Sequence, residues 1–342
     1  MSNLLTRDLR FEQLRVCAII FVVAHHVLLF GVDGCGYLSQ FVPSASGVVC
    51  VVLNSLFVTG VNLFVMISGW FGIKRVWRPM VRLVVECGVF GAVALALSLW
   101  LYGPYPIDYV DGHWSWMRLW QSLKFTNWWF VVHYLMLVLA APLLELALKD
   151  VSQKNLERIL CCVLLFNFVF GFWWGYVNTN GYNVINFVML YLLARYMRLF
   201  PQSRLCRAVR RWRLWIVVAC ITLMALWFLC DQSCWVPGHM PMVWNYNDPL
   251  VVAEAMALFM MFAEAGEVRW RVNLVAPYVL GIYLLQSSPN LVYYRNALGH
   301  WLWAEWGFAG MALAVVLLFV GSLVVSAAVL SVLRRMLALI RL

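Results

Sequence analysis

Apolar residues run in stretches of membrane-spanning length from one end of the chain to the other, with short polar segments between them. A helix crossing the hydrocarbon core needs about 20 such residues. Ten stretches qualify: 14–32, 47–72, 79–102, 128–148, 159–177, 183–200, 213–230, 248–265, 272–289 and 308–333. The ninth is short and carries Pro277. This pattern predicts an all-α, polytopic integral membrane protein, with residues 1–342 forming a single transmembrane domain. No internal repeat and no low-complexity segment interrupts it.

The cations test the count. Placing the N-terminus in the cytoplasm puts the loops after spans 2, 4, 6 and 8 and both termini on the same side. Those segments hold all but four of the 25 Lys and Arg. Arg118, Lys124 and Arg295 fall on the opposite side, and Arg195 lies inside the sixth span. A miscounted helix would scramble this alternation, so the positive-inside rule supports ten spans with cytoplasmic N- and C-termini.

Charge and composition then narrow the class. The net charge of +10 is a topological signature rather than a nucleic-acid footprint. With 64% of residues hydrophobic and 12% charged, no stretch is polar and long enough to fold separately in water. The partner implied by composition is the lipid bilayer; nucleic acid is not a partner. Met1–Glu12 is polar and no small-residue cleavage site follows the first apolar run, so no cleavable signal peptide is expected. The loops Gly103–Asn127 and Asp231–Asn247 are rich in Trp, Tyr and Pro, and the first is long enough to face a substrate. The ten cysteines lie mostly within apolar runs and form no C-x-x-C, so no metal site is expected. Cys35, Cys230 and Cys234 fall near or in one set of loops, where a disulfide could form.

Polar groups within a bilayer are costly and are therefore candidates for chemistry. In the first span, Arg15 and His26 stand eleven residues apart. That is close to three helical turns, so both lie on one face, about 16 Å apart along the axis. One face carries a cation at the membrane edge and an ionisable base near mid-depth. His25 points about 100° away and reads as structural. Ser68-Gly69 ends the second span and suits close helix approach. Lys74, Arg75, Arg78 and Arg82 follow directly, either setting topology or docking a cytosolic polyanion such as the phosphates of an acyl-CoA. Buried carboxylates are Glu86, Glu145 and Glu254. Glu254 is the best placed by depth to orient His26. His113, His133, His239 and His300 read as structural.

These residues resemble a known family. Arg15-x10-His26, then Phe64-x3-Ser68-Gly69, then Arg75-x2-Arg78, is similar to the pattern of the bacterial membrane-bound acyltransferase-3 family. Asn127-Trp128-Trp129-Phe130 with Tyr134 and Pro142, Tyr191-Leu-Leu-Ala-Arg195-Tyr196, and Gly281-Ile-Tyr283-Leu-Leu-Gln286 resemble its later segments. The chain departs at Val65, where a second Phe is usual, at Ala194, where Gly is common, at Gln286, which stands at a late His position, and at Glu145, near a frequent Asn.

The resemblance implies an integral-membrane O-acyltransferase of the bacterial inner (cytoplasmic) membrane. It implies transfer of an acyl group, usually acetyl, from cytosolic acyl-CoA to a hydroxyl of a surface glycan or its lipid-linked sugar precursor. No bound cofactor is implied; acyl-CoA is the donor substrate. The residues carried over are His26 and Arg15 as catalytic, with Ser68, Arg75 and Arg78 on the donor. His26 would act as a general base or carry the acyl group itself. The rival class is a transporter or flippase for a glycan or small solute, with Arg15 and His26 lining a path. Such proteins show paired helix breaks in two related halves, which are not visible in this sequence.

Overall fold

The structure, a computed structural model, describes residues 8–32, 44–107, 112–177, 179–233, 243–266 and 272–339. Arg7, Cys35, Cys234, His239, Arg269, Arg271 and Arg341 lie outside the described residues. Every regular element among those described is helical.

Helix α1 (Leu9–His26) starts at Asp8, whose side chain accepts a hydrogen bond from the Arg10 backbone N–H, and it runs on as a π-helical turn over Val27–Gly31. The Arg10 guanidinium also binds the Asp8 carboxylate and holds its pKa below the usual carboxylate range. Ala45–Phe57 (α2) and Gly60–Phe71 (α3) form one apolar rod broken at Val58 and Thr59. There follow α4 (Trp77–Tyr102), a short α5 (Trp116–Ser122), α6 (Trp129–Leu148), and α7 (Gln153–Leu165) with a π-helical continuation to Trp173. The rest are α8 (Val184–Leu199), α9 (Arg204–Ser233), α10 (Pro249–Ala263), α11 (Val279–Gln286) and α12 (Val292–Leu339). Within α12 the chain turns sharply at Gly307, whose φ of 55° and ψ of −130° suit glycine.

Seven helical stretches among the described residues are long and apolar enough to cross a membrane: Leu9–Gly31, Ala45–Phe71, Trp77–Tyr102, Trp129–Leu148, Gln153–Trp173, Arg204–Asp231 and Val292–Leu333. The chain is a multi-pass, all-helical membrane protein. The stretches expected at 183–200, 248–265 and 272–289 appear as the shorter helices α8, α10 and α11. Polar caps trim two of them: Asn183 accepts from the Ile185 N–H, and Asp248 from the Leu250 N–H. Around Pro277, residues Val272–Leu274 and Ala276–Tyr278 form two 3₁₀ turns before α11 begins.

The core runs through α1, α3, α8, α10 and α11. Ala18, Ile19 and Val23 of α1, Val65 and Met66 of α3, Leu190 of α8, and Ala255 and Phe259 of α10 are fully enclosed. A close seam joins α3 to α8. A Cβ on Gly69 would stand 2.5 Å from the Tyr191 carbonyl oxygen and 3.0 Å from the Ala194 Cβ, so glycine is what lets these helices meet.

Charges collect at the Arg15 end of α1. Arg10 donates to the Ala263 carbonyl at 2.7 Å, Arg198 lies 5.1 Å over the Trp70 ring, and Arg210 and Arg213 share Glu264. The contacts agree with the clustering of cations read along the chain.

Candidate functional site

The periodicity of α1 sets the site. Arg15, Val22 and His26 fall on one stripe, since steps of seven and eleven residues return near the same azimuth. Arg15 and Val22 line a cavity of about 380 Å³. Its other walls include Phe64 and Ser68 of α3, Arg82 and Glu86 of α4, Phe130 and Tyr134 of α6, and Tyr283 of α11. His26 continues the stripe one turn beyond Val22.

Arg15, Ser68, Arg82, Glu86 and Tyr134 each have a polar partner that orients them. Arg15 pairs with Glu12, one turn back, whose side chain is almost wholly enclosed. Arg82 Nε donates to Glu86 at 2.7 Å, an i,i+4 pair on α4. The Ser68 Oγ lies 3.0 Å from the Tyr134 hydroxyl. Tyr134 in turn stacks on Phe130 at 5.7 Å and 10°. The preceding Trp128 is buried and donates through Nε1 to the Leu284 carbonyl at 2.9 Å, fixing the start of α6 against α11.

The basic loop opens onto this cavity. Lys74 and Arg75 line a groove of about 350 Å³ that shares Pro79, Leu83 and Tyr134 with the Arg15 cavity. The two form one path from Arg75 to Ser68 and Arg15. Arg78, in the first turn of α4, is exposed and lines neither. A clasp that sequence reading missed holds the root of the loop. Glu145 accepts from the Tyr191 hydroxyl at 2.6 Å and from Arg195 at 2.8 Å, while the Tyr191 oxygen accepts from the Ile73 N–H at 3.0 Å. A trace of it was visible: Arg195 lies inside the sixth expected span, where a carboxylate partner is called for.

The two neighbouring histidines differ sharply. His25 is buried and its Nδ1 lies 2.7 Å from the Asn54 Oδ1, as a structural histidine should. His26 is half-buried, and its Nδ1 has no hydrogen-bond partner among the described residues. Its ring sits 6.2 Å from Phe30 and 6.1 Å from the His25 ring. The geometry does not bring Glu254 to it. No hydrogen bond or ion pair joins the two, and neither Glu254 carboxylate oxygen has a partner among the described residues.

The Phe30 ring stands between His26, at 6.2 Å, and the guanidinium of Arg295, at 5.8 Å, a cation that sequence reading left as a topological exception. Arg295 lines a second cavity, of about 1000 Å³, together with Gln286. Tyr283 faces the Arg15 cavity and Gln286 the Arg295 cavity, so one turn of α11, about 5 Å of rise, separates them. Gln286 cannot act as a base. Its amide donates to the Ser322 hydroxyl at 2.7 Å and the Leu318 carbonyl at 3.0 Å, bracing α11 against the second arm of α12. The described residues hold no group of three His, Cys, Asp or Glu placed to bind a metal.

A family model described as an acyltransferase domain matches residues 8–331. No curated protein and no solved structure matches the chain.

Proposed function

The chain belongs to this acyltransferase family, and we propose on that premise that it transfers an acetyl group from cytosolic acetyl-CoA to a hydroxyl of a surface glycan or its lipid-linked sugar precursor. The observation that carries this reading is the pair of adjoining cavities lined by Arg75, Ser68, Arg15 and Val22, with His26 lining neither cavity but lying one turn beyond Val22 on the same stripe of α1.

The donor enters at the Arg15 end, which faces the cytoplasm of a bacterial inner membrane. Lys74, Arg75 and Arg78 attract its phosphates, and guanidinium forks suit phosphate oxygens. The pantetheine arm lies along the groove, and the Ser68–Tyr134 pair offers a hydroxyl donor to the thioester carbonyl. His26 takes the proton of the acceptor hydroxyl as the oxygen attacks the thioester carbon. A C–O bond forms, the C–S bond breaks, and CoA leaves as a thiolate that receives the proton from His26. Arg15 lines the cavity beside the path and compensates negative charge on the donor.

The test is transfer of labelled acetyl from acetyl-CoA to a glycan acceptor by the purified protein, with His26→Ala as control. Label on the acceptor with wild type, and none with the variant, is expected. Full turnover by His26→Ala would overturn the assignment. Energy-independent movement of the glycan across vesicles without CoA release would favour a transporter instead.

A further inference from the structure

The second cavity is built for a different ligand. Its walls are Leu97 and Leu101 of α4 and Leu317, Leu318 and Val325 of the second arm of α12, an aliphatic lining with room for a long hydrocarbon chain. Its volume of about 1000 Å³ stands at the upper end of ordinary ligand pockets. One cation faces this apolar space. Arg295 is 5% exposed, and it forms no salt bridge among the described residues. Its NH1 group donates to the Gln286 carbonyl at 2.8 Å, and Nε and NH2 donate to the Asn296 Oδ1 at 3.0 and 2.8 Å. All three bonds end on neutral oxygens, and a guanidinium has two further N–H groups to give. A buried cation without a counter-ion is costly. It is also rare on this side of the chain, where cations are otherwise depleted.

A second buried group faces the same space. The Gln286 Oε1 has no partner among the described residues, and Gln286 is 4% exposed. The aliphatic walls, the uncompensated cation and the unused acceptor lie within one lining.

We propose that the Arg295 cavity binds an acidic amphiphile, the acceptor itself, with its phosphate or carboxylate on the Arg295 guanidinium and its hydrocarbon chain along α4 and the second arm of α12. The headgroup then sits one turn of α11 from the acyl-donor cavity, across the Phe30 ring from His26. This selects the lipid-linked form of the acceptor over a free polysaccharide. The occupant's role as acceptor rests on the acyltransferase reading, but the site does not.

The experiment measures binding without any acyl donor, so a failed transferase reading leaves it intact. Radiolabelled farnesyl phosphate and farnesol serve as probes on the purified full-length protein in detergent. Wild type should bind the phosphate at least about tenfold tighter than the alcohol, the gain of one charge-assisted pair. Arg295→Gln should erase that preference, and Arg295→Lys should keep most of it. A Cβ on Gly321 would meet nothing within 4 Å, so Gly321→Phe fills the cavity without a backbone clash. It should weaken both probes about tenfold or more while the unfolding temperature stays within a few degrees. Should Arg295→Gln fail to fold, the wild-type preference and Gly321→Phe decide the matter. Equal binding of phosphate and alcohol by wild type would overturn the proposal. So would a preference that survives in Arg295→Gln, or displacement of the probe by phosphatidylglycerol at equal concentration, which marks a bulk-lipid site.

Discussion

The Ser68 Oγ and the Tyr134 hydroxyl lie 3.0 Å apart, tying α3 to α6 across the mouth of the Arg15 cavity. Because the two hydroxyls act as one unit, their removal should not be additive. Ser68→Ala and Tyr134→Phe are each expected to lower kcat/KM for the donor by up to about tenfold, the worth of one hydrogen bond. The double variant should lose little more than the worse single one. Losses that simply multiply in steady-state assays would separate their roles.

His25 and His26 should fail in opposite ways. His26→Ala is expected to cut kcat by at least about a hundredfold, with the melting temperature held, since general base catalysis contributes that much or more. Asn54→Ala strands the buried His25 Nδ1 and should cost about 1–3 kcal/mol of stability. Thermal unfolding in detergent and turnover of the folded fraction distinguish the two. A large loss of kcat in Asn54→Ala at unchanged stability would move the chemistry to His25.

Neutralising Arg75 and Arg78 together as Gln should raise KM for the CoA donor about tenfold or more and leave the acceptor KM unchanged. Both side chains are exposed, so the effect should shrink as salt increases. A donor KM that ignores both substitution and salt would confine these cations to topology.

Glu145→Gln removes the charge that Arg195 pairs with at 2.8 Å. The carboxylate keeps a quarter of its surface, so the cost is expected at about 2 kcal/mol rather than the larger figure of a sealed pair. Because Tyr191 links this clasp to the Ile73 N–H, donor KM should rise more than kcat falls. Arg195→Met in the same background should restore part of the stability but not the donor KM.

At Gly69 even one methyl group is too many. Gly69→Ala should lower stability by about 1–3 kcal/mol, because the new Cβ meets Tyr191 backbone that cannot swing aside. A wild-type melting temperature in that variant would show that the α3–α8 seam is looser than drawn.

What the sequence revealed was whatever one helix carries by itself. The Arg15–His26 stripe follows from the period of α1, the tight seam from Ser68-Gly69, and the family from ordered motifs spread over the whole chain. What it hid needed two helices at once. Glu254 makes no hydrogen bond or ion pair with His26, while Arg295, from a segment 269 residues away, meets the same Phe30 ring as His26 does. Helix length was hidden too. Hydropathy counts apolar residues whether or not they are helical, so Val272–Tyr278 added to an expected span while folding as 3₁₀ turns. Arg295 did leave one sign, an arginine where the chain otherwise avoids them.

Three of the helices packed in the middle, α8, α10 and α11, are short. Those meeting lipid, such as Arg204–Asp231 and Val292–Leu333, have less than a third of their apolar window buried, whereas α10 and α11 are mostly enclosed. Fifteen residues of α10 rise about 22 Å, against about 30 Å of hydrocarbon. Surrounding lipid therefore meets full-length rods, while several of the enclosed helices stop short of the hydrocarbon thickness. The hydrophobic mismatch that other proteins relieve by tilting or by deforming the bilayer is turned inward here, where protein rather than lipid covers the ends of the short helices.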